Sequence, residues 1–139
     1  MSRKRLLVVG VLLVALVFAL PAYAQDFTIA MVVKGAGNPF FEACRKGGEE
    51  ATGELGLNFI FQAPATPTSE GQIELIDALI AQQVDAILVS ANDPDALVPM
   101  LRRAMDRGII VVAFDSGVAP AGRHLFLNQA DQGVIGRSQ

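Results

Sequence analysis

The sequence predicts an α/β fold built on an open, doubly wound parallel sheet. Two features carry that prediction. Short aliphatic runs that are apolar on both faces, as strands buried between two helical layers must be, alternate with segments of helical period. Each change-over is marked by Gly, Pro, Asn or Asp, the residues that end helices and start turns.

The first strand is expected at Phe27 to Val33 (FTIAMVV), ended by Gly35-Ala36-Gly37. Asn38-Pro39 supplies an N-cap and a first-turn proline, so a helix should run from Phe40 to Leu55, where Gly56 stops it. Leu57 to Gln62 repeats the strand pattern. A turn through Pro64 and Pro67 leads to a helix from about Ser69 to Gln82, with Ile73, Leu75, Ile76, Leu79 and Ile80 apolar.

Val84 to Ser90 (VDAILVS) is the third strand. Asp93-Pro94 is expected to open a third helix, in which Leu97, Leu101, Ala104 and Met105 keep helical spacing until Arg107-Gly108 closes it. Ile109 to Phe114 (IIVVAF) is strand four and Leu125 to Leu127 a shorter strand five, followed by a helix start at Ala130 to Gly133. Successive βαβ units cross over right-handed, which generates the open doubly wound sheet.

Residues 1–24 differ from the rest. Arg3, Lys4 and Arg5 precede the unbroken apolar stretch Leu6 to Leu20, and Pro21 leads into Ala22-Tyr23-Ala24. These are the charged, apolar and small-residue regions of a secretory signal, with cleavage expected before Gln25. The apolar stretch falls short of the roughly 20 residues that a spanning helix needs, so no membrane insertion is expected after cleavage. Eight basic and fourteen acidic residues then remain, a formal charge of −6. Such a surface, without a Lys/Arg block, argues against nucleic acid and anionic lipid as partners. Cys44 is the only cysteine, so no internal disulfide can form. It falls on an apolar helical face with Phe40 and Phe41 and is expected to be buried as a small apolar group.

Ligands of open α/β sheets bind beyond the carboxyl ends of the strands, near a switch point in strand order. That rule selects Lys34 after strand one, Ser90 to Asp93 after strand three, Asp115-Ser116 after strand four and Asn128-Gln129 after strand five. Gly35-Ala36-Gly37 does not complete a dinucleotide motif, because Phe40 stands where G-x-G-x-x-G requires its third glycine. Asn38, Phe40 and Phe41 place an amide and two rings at the mouth of the sheet, a set suited to a sugar with apolar C–H faces and hydroxyls. Both rings could instead be core, although two adjacent helical positions cannot point the same way. Asp115 could accept from two vicinal hydroxyls or cap the following turn. Lys34 could bind a hydroxyl or carbonyl or pair with Asp115. His124, the only histidine, reads as a surface turn residue. No catalytic set, metal-ligand cluster or cofactor motif is expected.

Taken together, "IAMVVKGAGNPFF", "PTSEGQIELIDALIAQQVDAILVSANDPDAL", "ALVPMLRRAMDRGIIVVAFDS" and "LNQA" resemble the type I periplasmic binding proteins, especially the branch that binds rhamnose-like sugars or autoinducer-2. The resemblance implies two α/β lobes that close over one ligand in the periplasm and deliver it to the membrane permease of an ABC importer. Residues 25–139 would then be the N-terminal lobe, truncated and a weak binder, with apolar surface exposed where a later segment would pack. It also implies ligand contacts for Asn38, Phe40, Phe41, Ser90 and Asp115. Lys34, with Asn128 and Gln129, matches the rhamnose or autoinducer-2 branch, whereas Ser116 stands where ribose-type members carry arginine. A lactose-repressor-type regulator would need a DNA-binding segment where residues 1–24 stand. A stand-alone exported accessory or sensor module is the alternative.

Overall fold

The structure is a computed structural model that describes residues 27–129. The expected leader, its cleavage site and the helix start at Ala130 to Gly133 lie outside the described residues. Five parallel strands form one sheet in the order β2-β1-β3-β4-β5. They are β1 (Thr28–Val32), β2 (Asn58–Gln62), β3 (Ala86–Val89), β4 (Ile110–Phe114) and β5 (Leu125–Leu127). The helices are α1 (Pro39–Leu55), α2 (Ser69–Ala81) and α3 (Val98–Asp106), and a short 3₁₀ turn at Pro120–Gly122 links β4 to β5. The open parallel α/β sheet is therefore the one expected.

Alternation along the strands sorts the core into two layers. Ala30, Val32, Ile87, Val89, Val111 and Ala113 point to one face, where Ile76, Leu79 and Ile80 of α2 and Leu101 and Ala104 of α3 cover them. Met31, Val33 and Phe114 point to the other, against Phe41 of α1. On this second face α1 lies towards β2, and Ile110, Leu125 and Leu127 remain exposed.

One boundary differs in substance from expectation. Asp93-Pro94 does not open α3, which begins at Val98 and spans 9 residues. Asp93 Oδ1 instead accepts from the amides of Asp95 and Ala96, both at 2.8 Å, and closes a turn of its own. Asx side chains compete with helical hydrogen bonding in this way. Leu97, expected inside the helix, precedes it and is fully buried.

All three helices end alike, in a residue of positive φ whose amide and the next one bond back to the final turn. At Gly56, Gln83 and Gly108 the φ values are 68°, 57° and 83°. Leu57 N bonds to Thr52 O, Val84 N to Leu79 O and Ile109 N to Ala104 O, the long bond of a Schellman motif in each case. Glycine adopts this conformation without steric cost, so Gln83 is the strained member of the set.

Candidate functional site

The chain runs from β1 to β2 on one side and then crosses back to β3 on the other, so the switch in strand order lies between β1 and β3. Lys34 and Ser90 stand just past the carboxyl ends of these two strands, and Asp115 directly follows neighbouring β4. Their side chains converge. Ser90 Oγ donates to Asp115 Oδ2 at 2.7 Å, and Lys34 Nζ lies 3.4 Å from the same oxygen. Ser90 is fully buried, whereas the Lys34 and Asp115 side chains are 34% and 27% exposed. One carboxylate is thus anchored from below and still open to the strand edge.

Asp115 is held in an unusual backbone conformation, with φ of 56°. Aspartate tolerates this left-handed region better than most side chains, yet non-glycine residues are uncommon there and gather at functional sites. Gln129 supplies one restraint: its Oε1 accepts from the Asp115 amide at 3.1 Å, and its Nε2 stands 3.5 Å from Asp115 Oδ1. Asn128, beside it at the end of β5, is exposed.

The two rings of α1 divide their roles. Phe41 is 4% exposed and packs with Met31, Val33 and Phe114, while Phe40 is 43% exposed. Their centroids lie 5.3 Å apart at 66°, an edge-to-face contact in which the buried ring supports the exposed one. Asn38 caps the helix, its Oδ1 accepting from Phe40 N at 2.9 Å. Its amide therefore holds the exposed ring at the helix start. Cys44 is half-buried rather than buried, packed at the edge of the Phe41 cluster. Burial, and then the nearby Asp115 charge, push its thiol above the ordinary value of 9.0, against a backbone hydrogen bond that lowers it.

Gln72, beneath the site, escaped the sequence reading, whereas its partner Asn92 lies within the Ser90 to Asp93 stretch selected there. Gln72 of α2, fully buried, donates through Nε2 to Val33 O at 3.1 Å and to Ser90 O at 2.8 Å. Its Oε1 accepts from Asn92 N at 2.8 Å. Asn92 Nδ2 in turn reaches Lys34 O at 3.1 Å and Thr68 O at 3.3 Å. The signal was present in α2: Gln72 shares the helical face of Ile76, Leu79 and Ile80, where a polar residue must find buried partners. His124 is exposed as expected but not idle, since its Nδ1 accepts from Val111 N at 3.0 Å while its own amide donates to Val111 O. Among the described residues no group of three His, Cys, Asp or Glu side chains is placed to hold a metal ion. None of their helices is long and apolar enough to cross a membrane.

Comparison with known proteins gives a consistent picture. A family model for the periplasmic binding protein domain matches residues 29–139. The D-ribose/D-allose-binding protein of Pseudomonas aeruginosa is 33% identical over 96 residues, which cover 66% of this chain and 30% of that protein. The ribose import binding protein RbsB of Bacillus subtilis is 33% identical over 91 residues, covering 66% and 30%. Among solved structures, an ABC transporter solute-binding protein from Clostridium phytofermentas with bound L-rhamnose superposes with a TM-score of 0.79 at 38% identity, covering 84% of this chain and 36% of that one. LsrB from Clostridium saccharobutylicum in complex with AI-2 gives 0.77 at 27% identity, covering 80% and 34%. The chain spans about a third of the length of these relatives.

Proposed function

The chain belongs to the periplasmic binding protein domain family, and from that membership together with the geometry of the strand edge we propose that it is the N-terminal lobe of a monosaccharide-binding component of an ABC importer. The relatives named above are binding and import components rather than enzymes. The observation that carries the proposal is the convergence of Lys34 and Ser90 on Asp115 Oδ2 at the switch point, with the exposed Phe40 ring on α1.

Vicinal hydroxyls donate to a carboxylate in a charge-assisted, paired arrangement, and Asp115 is open to accept them. Lys34 donates to a ring or hydroxyl oxygen. Phe40 offers a face to the apolar C–H side of the sugar. Gln129 keeps Asp115 in position, with Asn38 doing the same for Phe40. In this reading residues 1–24 direct export to the periplasm and are removed, and the partner that receives the sugar is a membrane permease. One lobe supplies one wall of the site and leaves the ligand facing water on the other side. Closure of two lobes around a ligand removes that water, so the chain by itself should bind weakly.

The test is a ¹H–¹⁵N NMR titration of the chain with millimolar L-rhamnose, D-ribose and D-allose in turn. At least one should perturb the amides of Lys34, Phe40, Asp115 and Gln129, and Asp115→Ala should abolish the effect. A set of spectra unchanged by all three sugars, or perturbed away from this edge, would overturn the proposal.

A further inference from the structure

The amide of Gln72 closes the hydrogen bonding of the sheet at its switch point. The ladder between β1 and β3 ends where Ser90 N donates to Val32 O at 3.0 Å. Beyond it, Val33 O and Ser90 O lie past the last rung, in the interior, where an unpaired carbonyl is costly. A single Gln72 Nε2 reaches both. Its other end holds Asn92 N, and Asn92 carries the linkage on to Lys34 O and to Thr68, whose side chain caps α2. Residues 33, 90 and 92 are therefore tied directly to the Gln72 side chain, and Lys34 is tied to it through Asn92. Two of them, Lys34 and Ser90, bear the groups that meet at Asp115 Oδ2.

We infer that Gln72 is the positioning residue of the candidate site, setting the spacing of the Lys34 and Ser90 backbones so that both side chains reach one carboxylate oxygen. Gln72 makes no contact with the site's open edge and acts only through the two loops. Its shape explains the choice of residue. Glutamate would bring no donor for the two carbonyls, and a shorter asparagine would not span from α2 to both strands. Asn92 is the second, partly exposed link. A ligand role for the network rests on the sugar-binding reading, whereas the geometric role does not.

The test reads the position of Lys34 without any sugar. Reductive ¹³C-methylation of the full chain labels Lys4, Lys34, the exposed Lys46 and the α-amino group, and it preserves the lysine charges; Lys34→Arg and Lys46→Arg samples assign the two signals compared. In the wild-type chain the Lys34 signal should be displaced from that of Lys46, because the Lys34–Asp115 pair at 3.4 Å is shorter and less exposed than the 4.0 Å Lys46–Glu50 pair. Gln72→Met, close in shape but without the amide, should move the Lys34 signal most of the way to that of Lys46. Ile80→Ala, a core truncation further along α2, should leave it in place. An unmoved Lys34 signal in folded Gln72→Met overturns the inference, and so does an equal movement in Ile80→Ala, which would mark a general loss of packing. If Gln72→Met does not fold, Asn92→Ala removes only the bonds to Lys34 O and Thr68 O and should move the signal partway; no movement there again overturns it. Absence of sugar binding in the wild-type chain would sink the ligand reading and leave this result standing.

Discussion

Ser90 donates its hydroxyl to Asp115 Oδ2 at 2.7 Å from a fully buried position, across the gap between the ends of β3 and β4. The Lys34 ion pair with the same oxygen is longer, at 3.4 Å, and partly solvated. The short bond should therefore matter more to stability. Ser90→Ala is expected to cost about 1 kcal/mol, the usual net worth of such a bond. Lys34→Ala should cost roughly 0.5 kcal/mol or less, since solvent screens exposed pairs. Urea unfolding of both variants checks this, and a larger loss for Lys34→Ala would reverse the ranking.

Gln83 ends α2 at a φ of 57° where glycine ends α1 and α3. Gln83→Gly should remove the steric cost of the left-handed backbone, partly offset by the greater freedom of glycine in the unfolded chain. A net gain of about 0.5–1 kcal/mol is expected, seen as a rise in Tm of a few degrees. A lower Tm would mean that the Gln83 side chain contributes more than its backbone strain costs.

The Cys44 thiol is held above its ordinary value of 9.0 by burial and then by the charge of Asp115. Its neutral form is favoured on folding, so the stability linked to it is fully present below the unfolded value and is lost as pH rises through the raised folded one. Alkylation by iodoacetamide at pH 8 should be slower than for an unfolded cysteine peptide, because the thiolate is the reactive species. Asp115→Asn should speed it. An unchanged rate in that variant would remove Asp115 as a cause.

Asp93 accepts from two amides in the turn before α3, which lowers its carboxyl below the ordinary 3.8. The stability it contributes is present above the unfolded value and fades as pH falls through the lowered folded one. A carboxyl-carbon NMR titration should find its midpoint below 3.8. A midpoint at or above that value would show that the turn is not held by these bonds in solution.

The strands and the first two helices were legible because their signals are local: aliphatic runs fix β1 to β4, and Asn38-Pro39, Gly56 and Gly108 mark helix ends by their own backbone preferences. α3 was misplaced by the same kind of reasoning. Asp93-Pro94 is a sound start signal, yet an Asx turn satisfies that aspartate equally well, and the choice was made by the burial of Leu97 and the packing around it. The division of Phe40 from Phe41 was half legible. Helical geometry dictates that adjacent rings diverge, but only the position of α1 on the sheet decides which one is buried.

By itself the sequence determined the α/β architecture, the order of its elements and the strand ends at which Lys34, Ser90 and Asp115 stand, since periodicity and turn chemistry depend on neighbours along the chain. Tertiary structure alone decided that these three side chains meet on one oxygen, that Gln129 braces the left-handed Asp115 backbone, and that Gln72 and Asn92 tie the loops beneath them. Those relations join residues 14 to 81 positions apart. They exist only once parallel strands lie side by side, because a buried carbonyl past the last rung of a ladder must take whatever donor the opposite layer brings to it.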